Sequence, residues 1–235
     1  MMPCPDLSRE PGPVALLAQS GGLSFDVAYM GKWRGIRFSK VVSFGNGCDL
    51  REAEMLEYLR HDPETGVIGL YVEGVEDGRR FFEELRKTAM EKPVILMKGG
   101  LSDSGGRAVS SHTASMGGSR KIWEAALRQC NVVQVETLQE MCDAALAFSM
   151  LPPGEYRHMT VIGGGGAIGI NAADTAEKLG LCVPQLKKDL QEEIRPLLPQ
   201  PGSSPANPID VANPFVPPDA LGRAMTAASK DDRIQ

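Results

Sequence analysis

One imidazole, His112, stands in a run of small and hydroxyl residues from Lys98 to Gly118. The apolar stretch Pro93–Met97 precedes the run, and a helix-like stretch, Ser119–Cys130, follows it. A loop of roughly twenty residues is long for a compact domain, and such loops are usually functional or disordered. Two further groups have chemistry that complements a histidine. Glu73 closes the apolar run Val67–Val72, and Ser20 lies in Gln19-Ser20-Gly21-Gly22, just after Val14–Ala18. A carboxylate beside an imidazole fixes its tautomer and leaves the far nitrogen free as a nucleophile. The segments Ser20–Gly22 and Gly164-Gly165-Gly166-Ala167 each bring small residues to a strand-to-helix turn. Backbone N–H groups exposed at two such helix starts suit an anion such as phosphate. Each feature also has an ordinary explanation: Glu73 as a solvated strand end, Ser20 as an N-cap, the glycines as tight turns.

The elements around these residues give them a common location. Apolar runs predict strands at Val14–Ala18, Lys40–Phe44, Val67–Val72, Pro93–Met97 and Val132–Val135, alternating with helices. One helix, with Met55, Leu56 and Leu59, is expected to start from a capping box of Asp49 and Glu52. Another, Asp77–Met90, carries Phe81, Phe82, Leu85 and Ala89 on one face. Thr137 with Glu140 caps a helix reaching Met150. Unbroken apolar strands fit a parallel sheet covered on both faces. A strand order of 2-1-3-4-5 puts strands one and three together at the switch point where such sheets bind ligands. Ser20, Glu73 and the His112 loop then share one edge.

Leu151-Pro152-Pro153-Gly154 interrupts the pattern, which then restarts. Strands are expected at Met159–Ile162 and Leu181–Leu186, and helices at Ala167–Leu179, Lys188–Leu198 and from near Pro218. The expected architecture is α/β: an irregular segment 1–12, then two doubly wound, flavodoxin-like domains over 13–151 and 155–235. The second is expected to be truncated at its C-terminal end.

Composition narrows the function classes. The 235 residues are 42% apolar and 23% charged, enough for a packed core. With a net charge of −5 and no basic block, a nucleic-acid surface is not expected. No apolar run approaches the roughly eighteen residues of a membrane span, and no signal-peptide h-region opens the chain. The five scattered cysteines, without a Cys-x-x-Cys pair, read as reduced thiols in the cytoplasm. Three histidines with no His/Cys cluster argue against a metal site.

Several short motifs occur in colinear order: Gln19-Ser20-Gly21-Gly22, Gly45-Asn46, Tyr71-Val72-Glu73-Gly74, Lys98-Gly99-Gly100, Ser110-Ser111-His112-Thr113 and Asn207-Pro208-Ile209-Asp210. From about residue 12 to the end, the chain resembles the NDP-forming acyl-CoA synthetases. These are relatives of succinyl-CoA synthetase and include the ADP-forming acetate–CoA ligases. The resemblance implies a reversible reaction, acyl-CoA + ADP + phosphate to acid + CoA + ATP. It implies that His112 is phosphorylated in transit, that Glu73 holds its ring, and that Ser20, Gly21 and Gly22 grip the phosphate together with Gly164, Gly165, Gly166 and Ala167. Asn46 is a candidate for the substrate side. The implied cofactors are CoA, ATP or ADP, and Mg²⁺ arriving with the nucleotide. The implied partners are CoA-binding and ATP-grasp domains or subunits, neither of which this sequence contains, in an oligomeric enzyme. Ala114 stands where the family usually has glycine, and the second turn, where the family usually carries Asn or Ala and often a proline, is here Gly163 to Gly166 followed by Ala167 and Ile168.

Two other readings stay open on the residues alone. Ala18-Gln19-Ser20-Gly21-Gly22 is similar to a nucleophile elbow, and Ser20, Glu73 and His112 follow the serine, acid, histidine order of α/β-hydrolases. Against this, no His-Gly-Gly-Gly oxyanion motif is present. The third reading is a non-catalytic flavodoxin-like module that holds a partner or an anion.

Overall fold

The computed structural model describes residues 7, 9–113, 119–212 and 216–234, with the side chains of 110–113 outside that description. The chain forms two compact units, Met1–Pro152 and Pro153–Gln235. Of the irregular segment 1–12, the described residues carry neither helix nor strand.

The first unit runs β1 (Val14–Ala18), α1 (Gly21–Trp33), β2 (Phe38–Ser43), α2 (Glu52–His61), β3 (Val67–Val72), α3 (Gly78–Glu91), β4 (Val94–Lys98), α4 (Asp103–Thr113), α5 (Arg120–Gln129), β5 (Val133–Val135) and α6 (Leu138–Met150). The sheet order is β2-β1-β3-β4-β5, as expected, and every pairing is parallel. Every residue of β1 and β4 is buried, as is all of β3 except Tyr71, whereas the edge strands β2 and β5 are partly exposed. This is why the inner strands are unbroken apolar runs: they have no wet face.

Alternate residues feed two cores. Leu17, Leu70 and Leu96 pack with Leu56 of α2, Phe81 of α3 and Trp123 of α5. Leu16, Ile95 and Val67 pack on the other face with Val27 of α1 and Met141 of α6. Each large aliphatic side chain so buried contributes about 1.5–3 kcal/mol.

Two local expectations in this unit need correction. Helix α2 is entered through Arg51, not Asp49: the Glu54 carboxylate accepts from the Arg51 N–H at 3.1 Å. Gly45 and Gly47, both at positive φ, turn the chain after β2 and delay the helix. Glu52 is thereby buried in the first turn, and burial pushes its carboxyl up. The second correction concerns the run after Lys98, which is not all loop. Ser102 Oγ accepts from the Gly105 N–H at 3.1 Å, its carbonyl accepts from the Gly106 N–H at 2.7 Å, and α4 follows. Asp103 lies in the first turn, where its charge complements the helix dipole. Gly105 and Gly106 cost about 1 kcal/mol each in a helix, so the segment reads as loop. Packing explains Gly105: a Cβ there would lie 3.2 Å from the Gly100 Cα.

The second unit contains β6 (Ile162–Gly163), α7 (Gly166–Lys178), α8 (Lys188–Ile194), β7 (Ile209–Asp210) and α9 (Pro218–Ala228). Strands β6 and β7 pair in parallel over a core of Leu186, Ile194, Ile209, Val211 and Ala224. The strand expected at Leu181–Leu186 reduces to a single bridge, His158–Cys182. Pro184 has no N–H for a ladder, and its carbonyl accepts instead from Asn207 Nδ2 at 2.9 Å. The buried Asn207 side chain also donates to the Met159 carbonyl at 2.8 Å and accepts from the Val161 N–H at 2.9 Å. It thus joins three segments that a ladder would otherwise have joined. Among the described residues, no helix is long and apolar enough to cross a membrane.

Candidate functional site

Because the first sheet is parallel, all its strands deliver their C-terminal ends to one edge, and the site residues of the first unit lie along it. At the end of β1, the Gln19 N–H donates to the Tyr71 carbonyl at 3.0 Å. The Gln19 side-chain oxygen accepts the N–H groups of Glu73 at 2.6 Å and Gly74 at 3.2 Å. One amide side chain therefore fixes the backbone at the end of β3.

Ser20 is the N-cap of α1, and its hydroxyl accepts from the Leu23 N–H at 3.4 Å. The first turn of α1 has no acidic residue, so its amide end carries uncompensated positive polarity. Asn46 is exposed in the turn after β2, where the Gly47 N–H donates to the Phe44 carbonyl at 3.0 Å.

Glu73 is half-buried one residue beyond β3. Its Oε1 accepts from the Tyr71 hydroxyl at 3.1 Å. Burial, and secondarily the Glu73 charge, push the phenol up to about 12, so Tyr71 is a protonated donor at neutral pH. Lys98 closes β4, buried, and its Nζ donates to the Glu73 carbonyl at 2.7 Å and to the Gly99 carbonyl. The ammonium lies 5.1 Å from the centre of the Trp123 ring. Burial pushes it down to about 8, partly opposed by the Glu73 charge.

Beyond Lys98 the chain passes through Gly100, whose φ of +75° favours glycine. A Cβ there would fall 2.7 Å from Val109 Cγ2, so α4 packs directly on this turn. The backbone of His112 lies in the last turn of α4. The His112 side chain lies outside the described residues, as does Ala114.

Gly164–Ala167 belongs to the second unit. Gly165 is the N-cap of α7, whose first turn also lacks an acidic residue. The Asp210 carboxylate lies beside this start, 3.1 Å from where a Gly166 Cβ would be.

The first-unit edge therefore offers amide donors for an anion and a carboxylate with one oxygen already held. Sequence reasoning missed the roles of Gln19, Tyr71 and Lys98. The signal for Tyr71 was available: residues two apart on a strand project to one face, so Tyr71 and Glu73 are neighbours.

Residues 11–148 match the succinyl-CoA ligase-like flavodoxin domain. The subunit alpha of acetate–CoA ligase (ADP-forming) II from Pyrococcus furiosus is 42% identical over 201 residues, covering 85% of this chain and 43% of that subunit. Acetate–CoA ligase (ADP-forming) I from Archaeoglobus fulgidus is 36% identical over 228 residues, covering 97% of this chain and 33% of that protein. A solved structure of a dinucleotide-forming acetyl-coenzyme A synthetase from Ca. Korarchaeum cryptofilum, in complex with phosphate and ADP, has a TM-score of 0.81 and 32% identity. That match covers 97% of this chain and 49% of the other. The chain thus spans less than half the length of these relatives.

Proposed function

Given that the chain belongs to the succinyl-CoA ligase-like flavodoxin domain family, we propose that it is the phosphohistidine-bearing core of an ADP-forming acyl-CoA synthetase. In the energy-conserving direction, phosphate displaces CoA from the acyl thioester and forms an acyl phosphate. A His112 nitrogen then attacks its phosphorus; the N–P bond forms as the bond to the acyl oxygen breaks, releasing the carboxylate. ADP finally takes the phosphoryl group, restoring the imidazole and giving ATP. Glu73 accepts from the ring N–H, which fixes the tautomer and stabilises the positive charge that develops as the other nitrogen attacks. The helix starts at Ser20–Gly22 and Gly164–Ala167 bind phosphate oxygens through backbone N–H groups. Asn46 lies on the substrate side. Mg²⁺ enters with the nucleotide.

In this reading the two units correspond to domains over 13–151 and 155–235, the latter an incomplete flavodoxin-like domain. CoA-binding and ATP-grasp domains complete the enzyme, on this chain or another, in a cytoplasmic oligomer. One observation supports the reading most. The parallel register sets Val72 against Lys98, so the Glu73 carboxylate stands next to the strand that leads into the helix of His112.

The test is phosphoryl labelling. The chain, assembled with the CoA-binding and ATP-grasp modules of its enzyme, is incubated with γ-labelled ATP and Mg²⁺. The expected label is acid-labile, base-stable and absent from His112→Ala. The same label persisting in His112→Ala would overturn the assignment.

A further inference from the structure

Glu73 can orient a ring only if its own carboxylate is oriented. A strand-end glutamate has three rotatable bonds and, left alone, samples many positions. Here two devices restrict it. Gln19 fixes the backbone of Glu73 and Gly74. The Tyr71 hydroxyl then takes Oε1 at 3.1 Å. Among the described residues Oε2 takes no hydrogen bond, so it is the oxygen left for an imidazole.

The phenol has this position because Gly99, the residue after β4, yields space to it. A Cβ on Gly99 would lie 2.5 Å from the Tyr71 oxygen, closer than real Cβ contacts allow, and 3.1 Å from its ring carbon Cζ, tighter than most. Gly99 is not at positive φ, so its lack of a side chain answers to this contact and not to the turn. The turn just after β4 thus keeps a gap where the hydroxyl sits.

We propose that Tyr71 is a positioning residue for the phosphoryl-transfer histidine site, acting through Glu73 and seated there by the missing side chain of Gly99. The proposal rests on the reading that Glu73 orients His112. The raised phenol pKa of Tyr71 is consistent with a permanent donor, since it stays protonated throughout the neutral range.

The test is a double-mutant cycle on the assembled enzyme, read by the rate of acid-labile label incorporation and by kcat and KM for the acyl substrate. Tyr71→Phe keeps the ring and removes only the hydroxyl. It is expected to slow phosphorylation about 10-fold, as loss of an orienting partner typically does, with KM and thermal midpoint little changed. In a Glu73→Gln background the same substitution should have almost no further effect, because its route of action is gone. Gly99→Ala should reproduce the Tyr71→Phe loss, since its Cβ displaces the phenol. Unchanged phosphorylation in Tyr71→Phe, or an equal fractional loss in both backgrounds, would overturn the proposal. Wild-type phosphorylation by Glu73→Gln would remove the underlying reading instead, and it is measured on a different variant.

Discussion

Lys98 holds Glu73 by its backbone and not by its charge: the Lys98 ammonium donates to the Glu73 carbonyl at 2.7 Å, while the Glu73 carboxylate bonds to Tyr71. A buried cation is thus spent on main-chain oxygens, of Glu73 and of Gly99, at the junction of β3, β4 and the turn into α4.

This arrangement has a pH signature. Burial lowers the Lys98 pKa from 10.5 to about 8. Between those values the unfolded chain keeps a proton that the folded chain has released, so the unfolded state binds more protons and stability rises with pH. Below about 8 both states are charged, and the full cost of the buried ammonium is present. Urea unfolding of wild type and Lys98→Met should show the wild type gaining roughly 2–3 kcal/mol on the variant between pH 7.5 and 10.5. A constant gap across that range would mean that Lys98 ionises as it does in water.

Gly100 offers a test of the α4 seat. At φ +75° an alanine costs about 1–2 kcal/mol, and its Cβ would also meet Val109 Cγ2 at 2.7 Å. Gly100→Ala is expected to lose about 2 kcal/mol or more in chemical denaturation and to exchange α4 amides faster. Adding Val109→Ala should relieve the steric part and leave the backbone part. Wild-type stability in Gly100→Ala would contradict the close packing of α4 on this turn.

The second glycine turn separates steric from electrostatic effects. A Cβ on Gly165 meets nothing within 4 Å, so Gly165→Ala should fold and phosphorylate nearly as wild type. Gly165→Asp is equally roomy at its Cβ, and a carboxylate at a helix start favours the helix. Its folded state should therefore survive while its anion site is filled. Phosphorylation is expected to slow about tenfold or more, the size of a ~1.4 kcal/mol loss. Labelling kinetics with circular dichroism as the folding control decide it; equal rates for the two variants would remove the turn from the phosphate site.

The first unit was legible where burial is complete. Val14–Ala18 and, apart from its terminal lysine, Val94–Lys98 are unbroken apolar runs because both of their faces are covered, and the strand order is the one expected of a flavodoxin-like sheet. Local hydrogen-bond choices were less legible. Asp49 and Arg51 are both sterically acceptable helix entries, and the Gly45–Gly47 turn decides between them. Leu181–Leu186 has strand composition, but Pro184 and the distant Asn207 side chain divert its backbone. In the site, the strand ends announced Ser20 and Glu73 as neighbours. Lys98 could not be placed from sequence, since its target is a pair of carbonyls and any residue supplies a carbonyl.

The position of β1 also constrains how the chain is made. Val14–Ala18 leaves the ribosome before the other strands of its sheet, yet it sits inside that sheet, with Phe38–Ser43 on one side and Val67–Val72 on the other. Until Val67 has been synthesised, one hydrogen-bonding edge of a wholly apolar strand has no native partner. Such segments pair with other chains when concentrated. A nascent-chain chaperone, or a translation rate matched to the arrival of β3, would protect this stretch first. Soluble yield should therefore respond more to codon pausing before β3 than after β4.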